Sequence, residues 1–160
     1  MTRRLLLLVA APFLSLSQQK TAQQYSGPRP SKPDLPYLKH ASNLIPTEIA
    51  EAKEEKKKDD TLYAIPGGAS TAKTPLAMPI FLMKADKLSP DRLRLFRLDS
   101  RDGRREILFS SKKGPAAIHM EIARLSSDNI YKIEVDVELE PGEYVLSPEG
   151  SNQVFCFQVY

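Results

Sequence analysis

Residues 131–139 read YKIEVDVEL, and apolar and charged side chains alternate along most of this stretch. Ile133, Val135 and Val137 fall on one side of the pattern, and the charged residues between them fall on the other. Successive side chains of a β-strand point to opposite faces of its sheet, so a period of two predicts a strand that is buried on one face only. Such half-buried strands are typical of antiparallel sheets, and the expected fold class is therefore all-β.

Further apolar runs of strand length surround this stretch, and turn residues separate them. Asp102-Gly103 predicts a hairpin turn, and residues 126–129 and 148–152 predict two more turns. A repeat of about ten residues is typical of a sandwich of two sheets. The predicted strands are 61–65, 79–84, 92–98, 104–110, 117–124, 130–139, 143–147 and 153–160. The first and the last of them are expected to form sheet edges.

Residues 139–144, LEPGEY, join two predicted strands and form a more specific motif than the alternation does. The pattern L-x-P-G-x-Y resembles the tyrosine corner of immunoglobulin-like and fibronectin type III sandwiches, in which the tyrosine hydroxyl bonds the backbone a few residues upstream. The resemblance implies an immunoglobulin-like antiparallel β-sandwich of about seven or eight strands over residues 61–160. The immunoglobulin cysteine pair and core tryptophan are absent. A structural role is implied for four corner residues: Leu139, Pro141, Gly142 and Tyr144.

The C-terminal strand pair carries a second resemblance. Residues 142–144 (GEY) and 151–155 (SNQVF) are similar to the ends of small uncharacterised exported bacterial proteins. This resemblance implies export and no particular function.

The N-terminus has the pattern of a cleavable export signal. Arg3 and Arg4 precede an apolar run of ten residues, 5–14, which is too short for a membrane span of about 20 residues but fits the core of a signal peptide. Small residues before the cut predict cleavage after Ser17, so residues 1–17 are assigned to the signal peptide. The alternative is a buried N-terminal helix. The expected localisation is periplasmic or secreted, with no transmembrane segment in the mature chain.

Residues 18–60 are expected to form a lead-in ahead of the β domain. Four prolines between positions 28 and 36 favour an extended, disordered stretch. Thr47 is a candidate helix N-cap, acidic residues follow it, and Glu54 and Lys58 have the spacing of a favourable helical pair. These features predict a short charged helix near 47–58. The lead-in as a whole is expected to act as a linker or tether.

Two patterns in the sequence bear on cofactor and metal binding, and both are incomplete. Residues 67–74 nearly match the phosphate loop G-x-x-x-x-G-K-T, but Ala72 replaces the second glycine and Pro75 opposes the helix that must follow. His119 and Glu121 share one face of a predicted strand, yet a closed metal site usually needs three or four ligands. The sequence therefore predicts no cofactor site and no metal site.

The sequence also gives little support for catalytic residues. Glu134, Asp136 and Glu138 share a strand face and would resemble the paired carboxylates of a glycosidase, but a row of charges is what an exposed face requires. Cys156 is the single cysteine, and its apolar strand-like surroundings predict a buried, unreactive thiol. We therefore expect no catalytic residues and no enzyme.

The charge balance bears on the class of partner. Without Arg3 and Arg4, 21 basic residues stand against 20 acidic ones, which argues against a nucleic-acid partner. The charges are unevenly placed, because residues 84–113 are basic and residues 114–160 are acidic. We expect the acidic residues of 114–160 to pair with the basic strands of 84–113 within one sheet. The alternative is a dipolar surface that attracts a charged partner.

These observations favour a non-enzymatic binding module of the cell envelope, whose partner would be an envelope protein or a surface glycan. A glycan binder would need exposed aromatic residues on one face, and the candidates are Tyr63, Tyr131 and Tyr160. The first alternative is a structural or tethering component of an envelope assembly, in which residues 18–60 reach toward that assembly. The second alternative is a small hydrolase.

Overall fold

The computed structural model describes residues 25–160 and confirms the all-β class. Over these residues it contains thirteen strands and one 3-10 turn, Pro90–Arg92. The strands are β1 Tyr37–His40, β2 Asn43–Pro46, β3 Glu48–Glu51, β4 Lys53–Lys57, β5 Asp60–Pro66, β6 Lys73–Thr74, β7 Ile80–Lys84, β8 Leu93–Arg101, β9 Arg104–Phe109, β10 Met120–Arg124, β11 Ile130–Val135, β12 Gly142–Pro148 and β13 Gln153–Val159. The predicted signal peptide, residues 1–17, lies outside the described residues.

The strands form two sheets. The smaller one, which we call the five-stranded sheet, has the order β10-β11-β7-β1-β2, and all of its neighbours are antiparallel. The larger one has the order β3-β13-β12-β8-β9-β5-β4, with the short β6 added in parallel beside β13.

The larger sheet closes on itself through residues 48–57. One half of this segment, β3, pairs with β13, and the other half, β4, pairs with β5 at the opposite end of the strand order. Ala52 alone separates the two halves, and its N–H donates to the carbonyl of Asn152 at 2.8 Å. A single stretch of chain therefore supplies both edges, and we call this larger assembly the closed sheet.

Two apolar cores follow from this arrangement. One lies between the two sheets, where Phe157 of β13 contacts Phe81 of β7 and Tyr144 of β12. The other lies inside the closed sheet and includes Val145 and Cys156. Strands β12 and β13 are consequently buried on both faces, which explains why residues 154–157 read VFCF without polar interruption.

Every predicted strand overlaps an observed one. The strand predicted at 130–139 is shorter than expected, because β11 ends at Val135 and Val137 is largely exposed. The strand predicted at 117–124 begins as an isolated bridge between Ile118 and Leu95 and continues as β10. The number of observed strands exceeds the predicted seven or eight because residues 37–57 supply four more and β6 is a fifth.

The charged helix predicted near 47–58 is wrong, because this segment forms β3 and β4. The Thr47 hydroxyl donates to the carbonyl of Pro36 at 2.8 Å instead of capping a helix. A helix here would have buried almost no apolar surface, whereas the strands gain hydrogen-bonded neighbours on β13 and β5. In the strand, Lys56 pairs with Glu54, two residues away on the same face, at 2.6 Å.

The same segment corrects the predicted sheet edges. Strand β5 lies between β9 and β4, and β13 lies between β12 and β3, so neither 61–65 nor 153–160 is an edge. The lead-in predicted over 18–60 is likewise part of the fold from Tyr37 onward, because β1 to β4 belong to the two sheets.

The proline-rich stretch predicted to be disordered packs against the domain over its described part. Pro30 and Leu35 are buried, and Asp34 lies between them at φ 58. The carboxylate of Asp34 accepts the backbone N–H groups of residues 86, 87 and 88 at 2.8–3.1 Å. Burial raises the pKa of Asp34, but these N–H donors outweigh it and hold the pKa below its usual value.

The expected pairing of the acidic residues of 114–160 with the basic strands holds for only part of that stretch. Glu140 and Glu149, which flank β12, pair with Arg97 and Arg94 of the neighbouring β8.

The acidic residues near β11 do not pair with the basic strands. Glu134 lies on β11, whose neighbours are β10 and β7, whereas the basic strands β8 and β9 belong to the closed sheet. Glu134 pairs with Lys132 at 2.6 Å, and Asp136 contacts His119 Nδ1 at 2.7 Å. The charge blocks alone do not distinguish the two cases, because the assignment of strands to sheets places β12 beside β8 but β11 in the other sheet.

Candidate ligand cavity

The interior of the closed sheet is lined by the inward-facing residues of its strands. Along β8 these are Arg94, Phe96 and Leu98, and the register with β12 places them beside Ser147, Val145 and Glu143 respectively. The interior therefore changes from polar at one end, through apolar in the middle, to ionic at the other end. We call the end at Arg94 the mouth and the end at Glu143 the floor.

The floor is a buried ionic network centred on Arg105 of β9, whose side chain is 1% exposed. Its Nη2 atom lies 2.6 Å from Glu48 Oε1, and its Nη1 donates to Ser70 Oγ at 2.7 Å. Its Nε and Nη2 also donate to the carbonyls of Gly67 and Pro66 at 2.8 and 2.7 Å. Arg105 thus ties the loop after β5 across the end of the closed sheet.

Two carboxylates complete the floor. Glu143 accepts both the backbone N–H and the hydroxyl of Ser70, and Glu48 accepts the N–H of Thr71 at 2.6 Å. Burial raises the pKa of Glu48, but its bonds to Arg105 and Thr71 outweigh burial and hold the pKa below its usual value. Glu143 is 5% exposed, and its Oε1 atom has no hydrogen-bond partner among the described residues.

Above the floor, the apolar walls enclose a cavity of about 350 Å³. Tyr63, Phe96 and Phe109 line it, together with smaller side chains such as Ala52 and Val154. Phe109 makes edge-to-face contacts with Tyr63 and Phe96, with ring centroids 5.5 and 5.6 Å apart. The three rings hold one another in place, so this wall is preformed rather than assembled on binding.

The mouth is bounded by Arg94 and by the turn between β12 and β13, residues 148–152. Arg94 Nη2 lies 2.6 Å from Glu149 Oε1, and Arg94 Nη1 donates to the carbonyls of Asp91 and Leu93 at 2.9 and 3.0 Å. Gly150 turns the chain at φ +76, a conformation that side chains other than glycine rarely adopt. The mouth thus combines a fixed guanidinium with an exposed turn.

The corner residues predicted to be structural lie at the crossing between the sheets. Leu139 is buried, and its N–H donates to the carbonyl of Ala77 at 2.8 Å. The Tyr144 hydroxyl donates to the carbonyl of Glu140 at 2.7 Å. Arg97 covers the turn, because it donates to the carbonyl of Pro141 at 3.2 Å and lies 5.8 Å from the centre of the Tyr144 ring. A Cβ atom on Gly142 would approach this guanidinium to 3.2 Å.

Replacing Tyr144 with Phe tests the hydroxyl contribution. The aromatic ring and its stacking on Phe157 are retained, while the carbonyl of Glu140 loses its donor. We expect the free energy of unfolding to fall by about 1 kcal/mol, the net value of a typical intramolecular hydrogen bond. Urea unfolding followed by circular dichroism measures this difference. Replacing Tyr25, whose hydroxyl lies outside the two cores, with Phe is the control, and an equal loss in both variants would contradict the assignment.

The other residues singled out in the sequence do not converge. Residues 67–72 form the loop that covers the floor, and Lys73 and Thr74 form the short strand β6 where a phosphate loop would begin a helix. His119 is paired with Asp136, not with Glu121, and the described residues contain no cluster of three or more histidine, cysteine or acidic side chains suited to a metal ion. Burial raises the pKa of Cys156 to about 12, so its thiol is a poor nucleophile.

The three tyrosines considered for glycan binding lie on different parts of the fold. Tyr63 faces the cavity inside the closed sheet, Tyr131 lies on β11 of the five-stranded sheet, and Tyr160 is 65% exposed beyond the end of β13. They do not form one aromatic surface.

Sequence reasoning missed the residues that shape the cavity. Phe96 and Phe109 fall in predicted strands, but nothing in the sequence of a single strand shows that its sheet closes around a cavity. A local signal for the mouth was present: in residues 93–98, LRLFRL, the alternation places Arg94 on the same side as Phe96.

Across residues 25–160, no helix has the length and apolar character needed to cross a membrane. Comparison of the chain with protein-family models, with curated proteins and with solved structures finds no match.

Proposed function

We propose that this protein is a non-enzymatic binding protein that takes a small apolar ligand, or an apolar group of a partner, into the cavity of the closed sheet. The observation that carries the proposal is the cavity of about 350 Å³, walled by Tyr63, Phe96 and Phe109, closed at its floor and open at its mouth. Pockets for small ligands are typically about 300–1,000 Å³ and mostly apolar, with a few polar groups that fix orientation.

The composition of the walls favours binding over catalysis. Catalysis by acid, base or nucleophile requires such groups within reach of one another and of the reacting atoms. The charged side chains that line this cavity are Arg94 and Glu149, and both lie at the mouth, paired with each other. Cys156 packs in the inner core with a raised pKa, and Arg105 is held by four bonds at the floor.

The proposal keeps the cell envelope as the compartment, on the strength of the export signal predicted at residues 1–17. The proposed ligand is apolar rather than the surface glycan expected from the sequence, because the candidate tyrosines do not lie on one face. Within this proposal, the resemblance to immunoglobulin-like sandwiches covers only residues 139–144, where the chain crosses from one sheet to the other. A tethering role would rest on the proline-rich residues alone, and those among them that the structure describes pack against the domain.

Titration with the fluorescent apolar probe N-phenyl-1-naphthylamine tests this proposal. Two variants occupy the cavity: Ala52→Phe and Ser147→Leu, whose parent side chains line it. We expect each to weaken probe binding by at least about tenfold, equivalent to about 1.4 kcal/mol, because the inserted atoms exclude the probe. Leu108→Phe is the matched control, because Leu108 lies on β9 but is 45% exposed on the outer face.

The result that would overturn the proposal is a probe that does not bind the native protein, or that binds all three variants as tightly as the native protein. Circular dichroism and thermal unfolding of each variant establish that any loss of binding comes from a folded protein.

A further inference from the structure

We infer that the ligand of this cavity is a single-chain amphiphile whose anionic head group binds Arg94 at the mouth while its apolar chain lies between the aromatic walls. This inference rests on the proposed function and specifies its ligand class. Carboxylate and phosphate head groups share the required chemistry, since both present paired anionic oxygens to a guanidinium.

The first support is the position of Arg94. It is the one cationic side chain among the residues that line the cavity in the described part of the chain. On β8 it faces inward directly above Phe96, so a chain that passes the aromatic ring must also pass the guanidinium. Two backbone carbonyls hold its Nη1 atom in place, which reduces the conformational freedom that binding would cost.

The second support is the charge at the mouth. Glu149 contacts Arg94 at 2.6 Å, and it also lies 4.0 Å from Arg92 Nε, while Arg92 Nη2 donates to its carbonyl at 3.5 Å. One acidic side chain therefore faces two guanidinium groups. Asp91, the acidic residue next to Arg92, contacts Ser89 Oγ at 3.5 Å and does not line the cavity.

The third support is that Glu149 can give way to a ligand. The side chains of Arg94 and Glu149 are 45% and 46% exposed, and ion pairs at this exposure are weak because water and salt screen them. Glu149 lies in the exposed turn with Gly150, and Arg92 still compensates its charge when a ligand occupies Arg94. An anionic head group thus replaces one carboxylate by another at Arg94, without leaving a buried charge unpaired.

The depth of the cavity limits the ligand's chain. Below the aromatic rings, Leu98 and Val145 belong to the buried inner core, and the network around Arg105 occupies the end of the closed sheet. A volume of about 350 Å³ lies at the lower end of the range for small-molecule pockets. We therefore expect a medium-length saturated chain rather than a two-chain lipid.

Competition against N-phenyl-1-naphthylamine at neutral pH tests the inference with four compounds of equal chain length: decanoate, decyl phosphate, decanol and decyltrimethylammonium. We expect decanoate to bind about tenfold more tightly than decanol, and the cationic compound to bind more weakly than decanol. The variant Arg94→Met should abolish the preference for decanoate and leave the affinity for decanol within about twofold. Glu149→Gln should tighten decanoate binding, because the competing carboxylate is gone.

Arg97→Met is the matched control, since Arg97 lies on the same strand but faces the inter-sheet side, above Tyr144. It should retain the preference for decanoate. A preference that survives in Arg94→Met, or a native protein that binds the cationic compound best, would overturn the inference.

The outcomes also separate this inference from the proposed function. If the probe and decanol bind but decanoate binds no better than decanol, the anionic head group is wrong and the apolar cavity function stands. If neither the probe nor any decyl compound binds, the proposed function itself fails. Stronger binding of decyl phosphate than of decanoate supports the inference and identifies a phosphate head group as the source of the charge.

Discussion

Replacing Arg105 with Met should lower the free energy of unfolding by about 3–5 kcal/mol, the usual cost of removing one partner from a buried ion pair. Arg105 donates to Glu48, to Ser70 and to the carbonyls of Gly67 and Pro66, and it lies 3.9 Å from Glu143. Methionine fills a similar volume but satisfies none of these acceptors. The two carboxylates then remain at the floor of the cavity without a positive charge.

The adjacent Arg104 is the matched control for this variant. It lies on the same strand with the opposite orientation, with 37% of its side chain exposed, and it pairs with Glu55 and Glu106. Exposed pairs of this kind contribute about 0–1 kcal/mol, so Arg104→Met should change stability little. Urea unfolding of both variants gives the comparison, and similar losses would contradict the central place assigned to Arg105.

A triple variant keeps the test informative if Arg105→Met does not fold. Combining Arg105→Met with Glu48→Gln and Glu143→Gln removes the buried charges altogether, and part of the lost stability should return. The thiol of Cys156 provides a second measurement, since it packs near this network and burial raises its pKa to about 12. Its reaction with a thiol reagent should be faster in Arg105→Met than in the native protein, because the opening that exposes it costs less free energy.

As the pH changes, the stability of the native protein and that of Arg105→Met should change in opposite directions. In the native protein the pKa of Glu48 is below its unfolded value, so its contribution is fully present above that value, about 4.5, and is lost as the pH falls through the folded pKa. Without Arg105, burial is the largest remaining influence on Glu48 and raises its folded pKa. The fold then binds more protons than the unfolded chain, and the stability of Arg105→Met should increase as the pH falls from neutrality toward 4.5.

The contrast between Arg104 and Arg105 shows what strand patterns reveal and what they leave out. Alternation alone places Arg105 on the same side as Ile107 and Phe109, so its inward orientation was available from residues 104–110. Its burial was not available, because that depends on Glu48 and Ser70, which approach from distant parts of the chain. Local patterns specify the face on which a side chain lies, and tertiary contacts specify whether that face is covered.

Residues 48–57 show the other limit of sequence reasoning. Their lysines, glutamates and alanines have good helix propensity, and the spacing of their charges suits a helix. Helix propensity amounts to tenths of a kcal/mol per residue, whereas pairing with β13 on one half and β5 on the other satisfies the backbone and completes the sheet. The strand is thus favoured by neighbours that become visible only in the folded chain, and the cavity depends on the same closure.

Replacing Phe157 with Ala should also lower the free energy of unfolding by about 3–5 kcal/mol. Its ring is fully buried between the sheets, 5.0 Å from the Phe81 centroid and 5.6 Å from the Tyr144 centroid. Truncation removes both contacts and leaves a void in the core that joins the five-stranded sheet to the closed sheet. Thermal and urea unfolding measure the loss, which would be contradicted by a value near that of the exposed control Leu108→Ala.

The same variant separates stability from binding when it is compared with Phe96→Ala. Phe96 is half-buried in the cavity wall, so its truncation removes less buried area and should cost about 1–2 kcal/mol. Phe157 faces the opposite side of the closed sheet from the cavity, because neighbouring Cys156 belongs to the inner core. Below its unfolding transition, Phe157→Ala should therefore bind the fluorescent probe with the same affinity as the native protein. Phe96→Ala, although more stable, should have an altered affinity for the probe. A loss of probe binding that followed stability in both variants would show that the cavity is not a separate binding element.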